Sequence, residues 1–152
     1  MNLILWRHAE AEEGPEAEDL SRPLTAKGQR QAQRMAAWLE ARLPDRYKVI
    51  ASRARRSRDT ARVLTERVRI DEAIDPGAQP EALLAAAGWP EASGTVVLVG
   101  HQPTLGRTAS LLLAGEAADW SVRKGAVWWI SRRERAGSGE TVLRAMMAPD
   151  LL

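Results

Sequence analysis

Thr95-Val96-Val97-Leu98-Val99-Gly100-His101 is the clearest strand signal in the chain, five mostly β-branched residues running without a break into a glycine and a histidine. A continuous apolar run of this length reads as a strand buried on both faces, as in a sheet covered by helices. Leu3-Ile4-Leu5-Trp6-Arg7-His8 repeats the pattern at the amino terminus, and Tyr47-Lys48-Val49-Ile50-Ala51 gives a third strand, followed by Ser52. In each case the apolar run ends and a polar group suited to phosphate follows at once. Ligands of open α/β sheets bind beyond the carboxyl ends of the strands. If these three strands are parallel neighbours, Arg7, His8, His101 and Arg56, one turn into the helix after Ser52, converge on one crevice. Two imidazoles and two guanidiniums make an anion pocket: the arginine fork matches phosphate oxygens, and an imidazole attacks phosphorus or donates to an oxygen.

Helices alternate with these strands. Thr25 is the N-cap of a helix whose apolar stripe passes through Ala32, Met35, Ala36, Leu39 and Leu43, with Pro44 blocking its continuation. The segment before it, Ala9 to Arg22, is acidic, holds Gly14 and Pro15, and reads as a loop. An arginine-dense helix runs from Ala54 to about Arg67, Val68 to Ile70 is a short strand, and Asp75-Pro76-Gly77 is a turn. Pro80 to Ala87 and Thr104 to Leu113 are helices, and Ala126 to Ser131 and Thr141 to Met147 are strands joined through Gly137-Ser138-Gly139. The alternation predicts one domain over residues 1–152, a three-layer α/β/α sandwich around a mostly parallel sheet.

Composition narrows the chemistry. The chain has 152 residues, no cysteine and two histidines. That excludes thiolate catalysis, zinc-thiolate sites and disulfides, and leaves no His-rich metal site. Any imidazole chemistry falls to His8 or His101. The pI is 9.5, but the net charge is only +2, so no strong field for nucleic acid is expected. Lys27, Lys48 and Lys124 are the only lysines; the basic side is almost entirely arginine. Arg53, Arg55, Arg58 and Arg62 read as a solvated helix face, since no aromatic residue is interleaved with them as single-stranded nucleic acid binding would ask. Trp128 and Trp129 are adjacent on a strand and point to opposite faces. Trp89 and Trp120 stand in loop-like contexts as candidates for a binding mouth. No signal segment or run of 18 apolar residues occurs, and a cytoplasmic protein without membrane association is expected.

The ordered motifs resemble the histidine phosphatase superfamily, the phosphoglycerate mutase-like fold, and within it the SixA-like phosphohistidine phosphatases. Arg7-His8-Ala9 resembles the family's opening Arg-His-Gly. Arg22-Pro23-Leu24-Thr25-Ala26-Lys27-Gly28 is similar to the helix entry of the SixA-like branch, and Ser52 to Ala61 to the family's Ser-Pro-x-x-Arg-Ala-x-Gln-Thr stretch. Gly100-His101-Gln102-Pro103 is similar to the second histidine segment, and Lys124-Gly125-Ala126-Val127 to a late strand entry. Ala9, Arg53 and Asp59 depart from the Gly, Pro and Gln of the pattern.

The resemblance implies a phosphoenzyme mechanism with no cofactor and no metal. By this resemblance His8 is the expected nucleophile, and Arg7, Arg56 and His101 are expected to hold the phosphoryl oxygens. The general acid of many members has no clear match; Glu81 is one candidate, and Glu10, Glu12 and Asp19 are others. A phosphoramidate leaves as an imidazole and depends less on a proton donor than an alkoxide does. The expected substrate is therefore phosphohistidine on a partner protein. The alternatives are a small phosphorylated metabolite or nucleotide, and a phosphate-binding module without turnover.

Overall fold

The computed structural model describes residues 1–152. Six strands form one sheet: β1 (Asn2–Arg7), β2 (Lys48–Ala51), β3 (Val68–Ile70), β4 (Thr95–Gly100), β5 (Val127–Arg135) and β6 (Ser138–Met147), in the order β3-β2-β4-β1-β5-β6. The first four positions are parallel, and β5 pairs antiparallel with both β1 and β6. The register places Arg7 opposite Gly100 and Ala51 opposite Val99. The carboxyl ends of β1, β2 and β4 thus finish level, and His8, Ser52 and His101 emerge on one edge.

Four helices cover the sheet: α1 (Ala26–Glu40), α2 (Arg55–Leu64), α3 (Pro80–Ala87) and α4 (Thr104–Ala114). Side chains of β4 alternate between two cores. Val96 and Leu98 pack with Leu83 of α3 and Leu105 of α4, and Val97 and Val99 with Met35 and Leu39 of α1 and Leu64 of α2. Burial on both faces is why β1 and β4 are continuously apolar. The architecture is the expected three-layer sandwich. No helix is long and apolar enough to cross a membrane.

Boundaries moved where tertiary contacts outweigh local pattern. The first loop contains a 3-10 helix, Glu16–Ser21, absent from the sequence reading. The helix after Thr25 ends regularly at Glu40 rather than Leu43, its last residues forming a turn before Pro44. The arginine-dense helix stops at Leu64, not Arg67, because Thr65 turns extended and Val68 must pair with Val49. The β5–β6 connection is tighter than a Gly137-Ser138-Gly139 loop. Ala136 and Gly137, with φ of 52° and 78°, form a two-residue turn of the hairpin type, and Gly139 already pairs with Glu134.

Trp128 and Trp129 do face opposite sides, and the layers cover both. Trp129 donates its indole N–H to Asn2 Oδ1 at 3.0 Å, and Trp128 packs beside Trp120 at 5.9 Å between ring centroids. Trp89 and Trp120 both lean on the core of Leu3 and Leu98. Neither forms a binding mouth at the strand-end cavity.

Candidate active site

The backbone of Arg7 and His8 is pinned from two sides. His8 N–H continues the ladder to the Gly100 carbonyl, and Gly125 N–H reaches the carbonyls of Arg7 and His8. The chain past His8 is tied to α2: Ala9 N–H donates to Thr60 Oγ1 at 3.0 Å, and Thr60 Oγ1 donates to the Arg56 carbonyl at 2.7 Å. The "R-P-L-T…G" segment closes the loop from the other side. Thr25 Oγ1 caps α1 by accepting from Gly28 N–H at 2.9 Å. At Gly28 any Cβ would collide with the Glu10 carbonyl oxygen. Glycine is required there by close backbone approach.

His8 Nδ1 lies 2.7 Å from the Ala9 carbonyl oxygen. A carbonyl only accepts, so Nδ1 carries the proton and Nε2 keeps its lone pair. Burial lowers the His8 pKa to about 4; the Ala9 contact opposes this, and the charges of Arg56, Arg7 and Arg22 add to it. The ring is neutral at pH 7.

His101 sits beside it, ring centroids 5.1 Å apart and planes tilted by 50°. Its Nε2 is 2.7 Å from Ser52 Oγ and 3.2 Å from Ser57 Oγ. Its Nδ1 meets Arg56 Nη2 at 3.5 Å. Guanidinium only donates, so Nδ1 is the unprotonated nitrogen and Nε2–H donates to the serine oxygens. Burial first, then the charges of His8, Arg56, Arg7 and Arg22, lower the His101 pKa to about 2.

The guanidiniums complete the pocket. Arg56 is only 4% exposed; its Nη1 donates to the Asp19 carbonyl at 2.7 Å and its Nη2 to Asp19 Oδ2 at 3.1 Å. Arg7 donates to the Val122 carbonyl at 2.9 Å. The Nε donors of Arg7 and Arg56 are buried without a partner. Arg7, His8, Arg22, Arg56, His101 and Lys124 line one cavity of about 270 Å³. Positive charge exceeds the carboxylates at hand, and the cavity suits a small, highly charged anion.

All four residues expected to converge do so. Sequence reasoning missed Arg22 and Lys124 as cavity residues, though both fall inside motifs that carried the resemblance. It also missed Ser57, which faces His101 from the first turn of α2. Glu81 is exposed and does not line the cavity. Glu10 instead accepts from the Thr25 hydroxyl at 2.8 Å, Glu12 is exposed, and Asp19 is committed to ion pairs. Glu13 is the one carboxylate in the cavity lining. No cluster of three or more His, Cys, Asp or Glu is arranged to hold a metal ion.

Residues 3–79 match the sequence profile of the histidine phosphatase superfamily (branch 1). The chain belongs to the histidine phosphatase superfamily. Its fold matches the protein histidine phosphatase SixA solved with tungstate, with a TM-score of 0.83 over 99% of both chains at 23% identity. The protein of Nakamurella multipartitia assigned as phosphohistidine phosphatase SixA matches with a TM-score of 0.77 and 30% identity, over 97% of this chain and 95% of that one. A phosphoserine phosphatase from Entamoeba histolytica shares the fold at a TM-score of 0.71 and 17% identity, over 99% of this chain and 98% of that one. No curated protein matches the sequence. The strand-end pocket of this histidine phosphatase family member coincides with the segments on which the sequence resemblance rests.

Proposed function

We propose that this protein is a phosphatase that works through a phosphohistidine on His8 and acts on phosphohistidine of a partner protein. The observation that carries this reading is the Nδ1 contact of His8 with the Ala9 carbonyl, which leaves Nε2 as the lone-pair nitrogen beside His101. In the first step His8 Nε2 bonds to phosphorus while the bond from phosphorus to the leaving nitrogen breaks, and that imidazole takes its proton from solvent. Arg7, Arg22, Arg56 and His101 surround the oxygens that gain charge in the transition state, and donors fixed before the reaction stabilise that charge most effectively. In the second step water attacks phosphorus, the bond to His8 Nε2 breaks, and orthophosphate leaves.

The choice of phosphohistidine rests on the leaving group. A neutral imidazole leaves readily, whereas an alkoxide needs a positioned acid. The candidate acid Glu81 stands outside the cavity and Glu13 is exposed. Membership of the family and the likeness to SixA support this reading. Glu13 in the lining is the observation that favours the second reading, a small phosphate ester, because it offers a carboxyl near a leaving oxygen.

The test compares wild type and His8→Ala on a histidine-phosphorylated protein, p-nitrophenyl phosphate and an alkyl phosphate, with and without chelator. Release from phosphohistidine that survives chelator and vanishes in His8→Ala is expected. Turnover retained in His8→Ala overturns the nucleophile. Equal turnover of alkyl phosphate and phosphohistidine overturns the substrate class. Anion binding without turnover on any substrate indicates a binding module.

A further inference from the structure

The carboxylate of Asp19 accepts from two arginines at once. Oδ2 receives Arg56 Nη2 and Oδ1 receives Arg22 Nη2, each at 3.1 Å, and Arg22 Nε adds a longer bond to Oδ1 at 3.3 Å. The Asp19 carbonyl holds Arg56 Nη1 as well. Arg22 has one further tie, from Nη1 to the Glu12 carbonyl at 2.9 Å. Both arginines line the strand-end cavity, whereas Asp19 borders a neighbouring hollow with Arg53, Arg55 and Arg58. The two guanidiniums reach the cavity from different elements, α2 and the end of the first loop, and Asp19 is the side chain that joins them.

We propose that Asp19 is a positioning residue for phosphoryl binding: it yokes Arg22 to Arg56 and holds both forks in the geometry that receives the oxygens. This rests on the reading that the cavity binds a phosphoryl group. Arginine is long and flexible, and a fork held by a carboxylate and a carbonyl loses less freedom when it binds an anion. Without Asp19, Arg56 keeps a buried charge without its counter-ion, and Arg22 keeps only a backbone tie on a loop.

Positioning and simple electrostatics predict opposite signs. A carboxylate beside a cationic pocket subtracts from its attraction for anions. If Asp19 acted through charge alone, removing it would tighten anion binding. If it positions the arginines, removing it weakens binding.

The experiment measures orthophosphate affinity by calorimetry and orthovanadate inhibition in the full chain, with thermal melting as a check on folding. Asp19→Ala is expected to bind orthophosphate about 10- to 100-fold more weakly, the scale set by misplacing a binding group. Asp19→Asn keeps one accepting oxygen, and its loss is smaller; as a near-isosteric change it also carries the test if Asp19→Ala fails to fold. Glu16→Gln, exposed on the same 3-10 helix, leaves affinity unchanged. In the cycle with Arg22→Ala, the double variant loses less than the product of the single losses, as coupled residues do. Unchanged or tighter binding in folded Asp19→Ala or Asp19→Asn, or multiplicative losses in the cycle, overturns the inference. Wild type that binds neither anion overturns the phosphoryl-site reading itself, and this inference with it.

Discussion

The Ala9 carbonyl accepts the Nδ1 proton of His8 at 2.7 Å. One backbone oxygen, supplied by the residue next in sequence, thereby decides which ring nitrogen is free to react. Ala9 is held in turn by Thr60, and the orientation of the His8 ring is built into the junction of β1 with α2.

Thr60→Val removes the acceptor for Ala9 N–H and leaves a buried amide unpaired. The expected cost is about 1–3 kcal/mol of stability, read by chemical denaturation. Turnover is expected to fall as well, because the Ala9 carbonyl loses its anchor. Full activity in the folded variant would show that the carbonyl needs no such support.

Arg7→Ala and Arg56→Ala each remove a fork from the cavity. Loss of a preorganised donor to a developing oxyanion costs on the order of 10²–10³ in rate. Steady-state kinetics on p-nitrophenyl phosphate are expected to show drops of that order in kcat/KM for both. A change below about threefold in either contradicts its place at the phosphoryl group.

Stability should fall in mild acid. His8 binds its proton near pH 4 when folded and near pH 6.5 when unfolded. Between these values the unfolded chain holds more protons, so stability rises with pH across the window and falls as pH drops from about 6.5 to about 4. The His8 contribution is on the order of 3 kcal/mol. His101, lowered further, acts in the same direction. Denaturation midpoints against pH should show this slope, and His8→Asn should flatten it. An unchanged slope in that variant contradicts the buried neutral imidazole.

Anion binding should take up a proton. A phosphate dianion beside His101 Nδ1 offsets the cationic field that, with burial, lowers this pKa. Calorimetry of sulfate binding near pH 6, a stand-in dianion that does not itself titrate there, in buffers of different ionisation enthalpy is expected to show uptake, and His101→Gln to lose it. Identical heats in all buffers for wild type would remove His101 from the phosphoryl group.

Gly28→Ala drives a methyl group against the Glu10 carbonyl. Strain of this kind costs typically about 1–3 kcal/mol, and a lower melting temperature is expected. An unchanged melting temperature would show that the first loop shifts freely away from α1.

The parts of the site visible in the sequence are those set by covalent neighbours. β1 and β4 are buried on both faces and read as unbroken apolar runs, so the positions of His8 and His101 at their ends follow directly. Arg56 follows from its place in the first turn of α2. What stayed hidden depends on tertiary folding of irregular backbone. Arg22 reaches the cavity because an acidic segment without periodicity folds into a 3-10 helix that Asp19 ties down. Lys124 arrives on a connection whose turn at Gly125 has a φ of 76°. Glu81 looked available because helix starts gather acids, but α3 presents it to solvent. Trp89 and Trp120 looked like rim residues because their segments are irregular, yet large aromatic surfaces find the core even from loops.

The central claim is a covalent bond from phosphorus to His8 Nε2. The direct measurement is rapid denaturing quench of the protein during turnover of a histidine-phosphorylated substrate, followed by peptide mapping and NMR of the labelled imidazole. An acid-labile phosphoryl group on His8, attached at Nε2 and absent from His8→Ala, is the predicted result. A phosphoryl group at His101 or at Nδ1 of His8, or sustained turnover with no phosphoenzyme at any quench time, contradicts it.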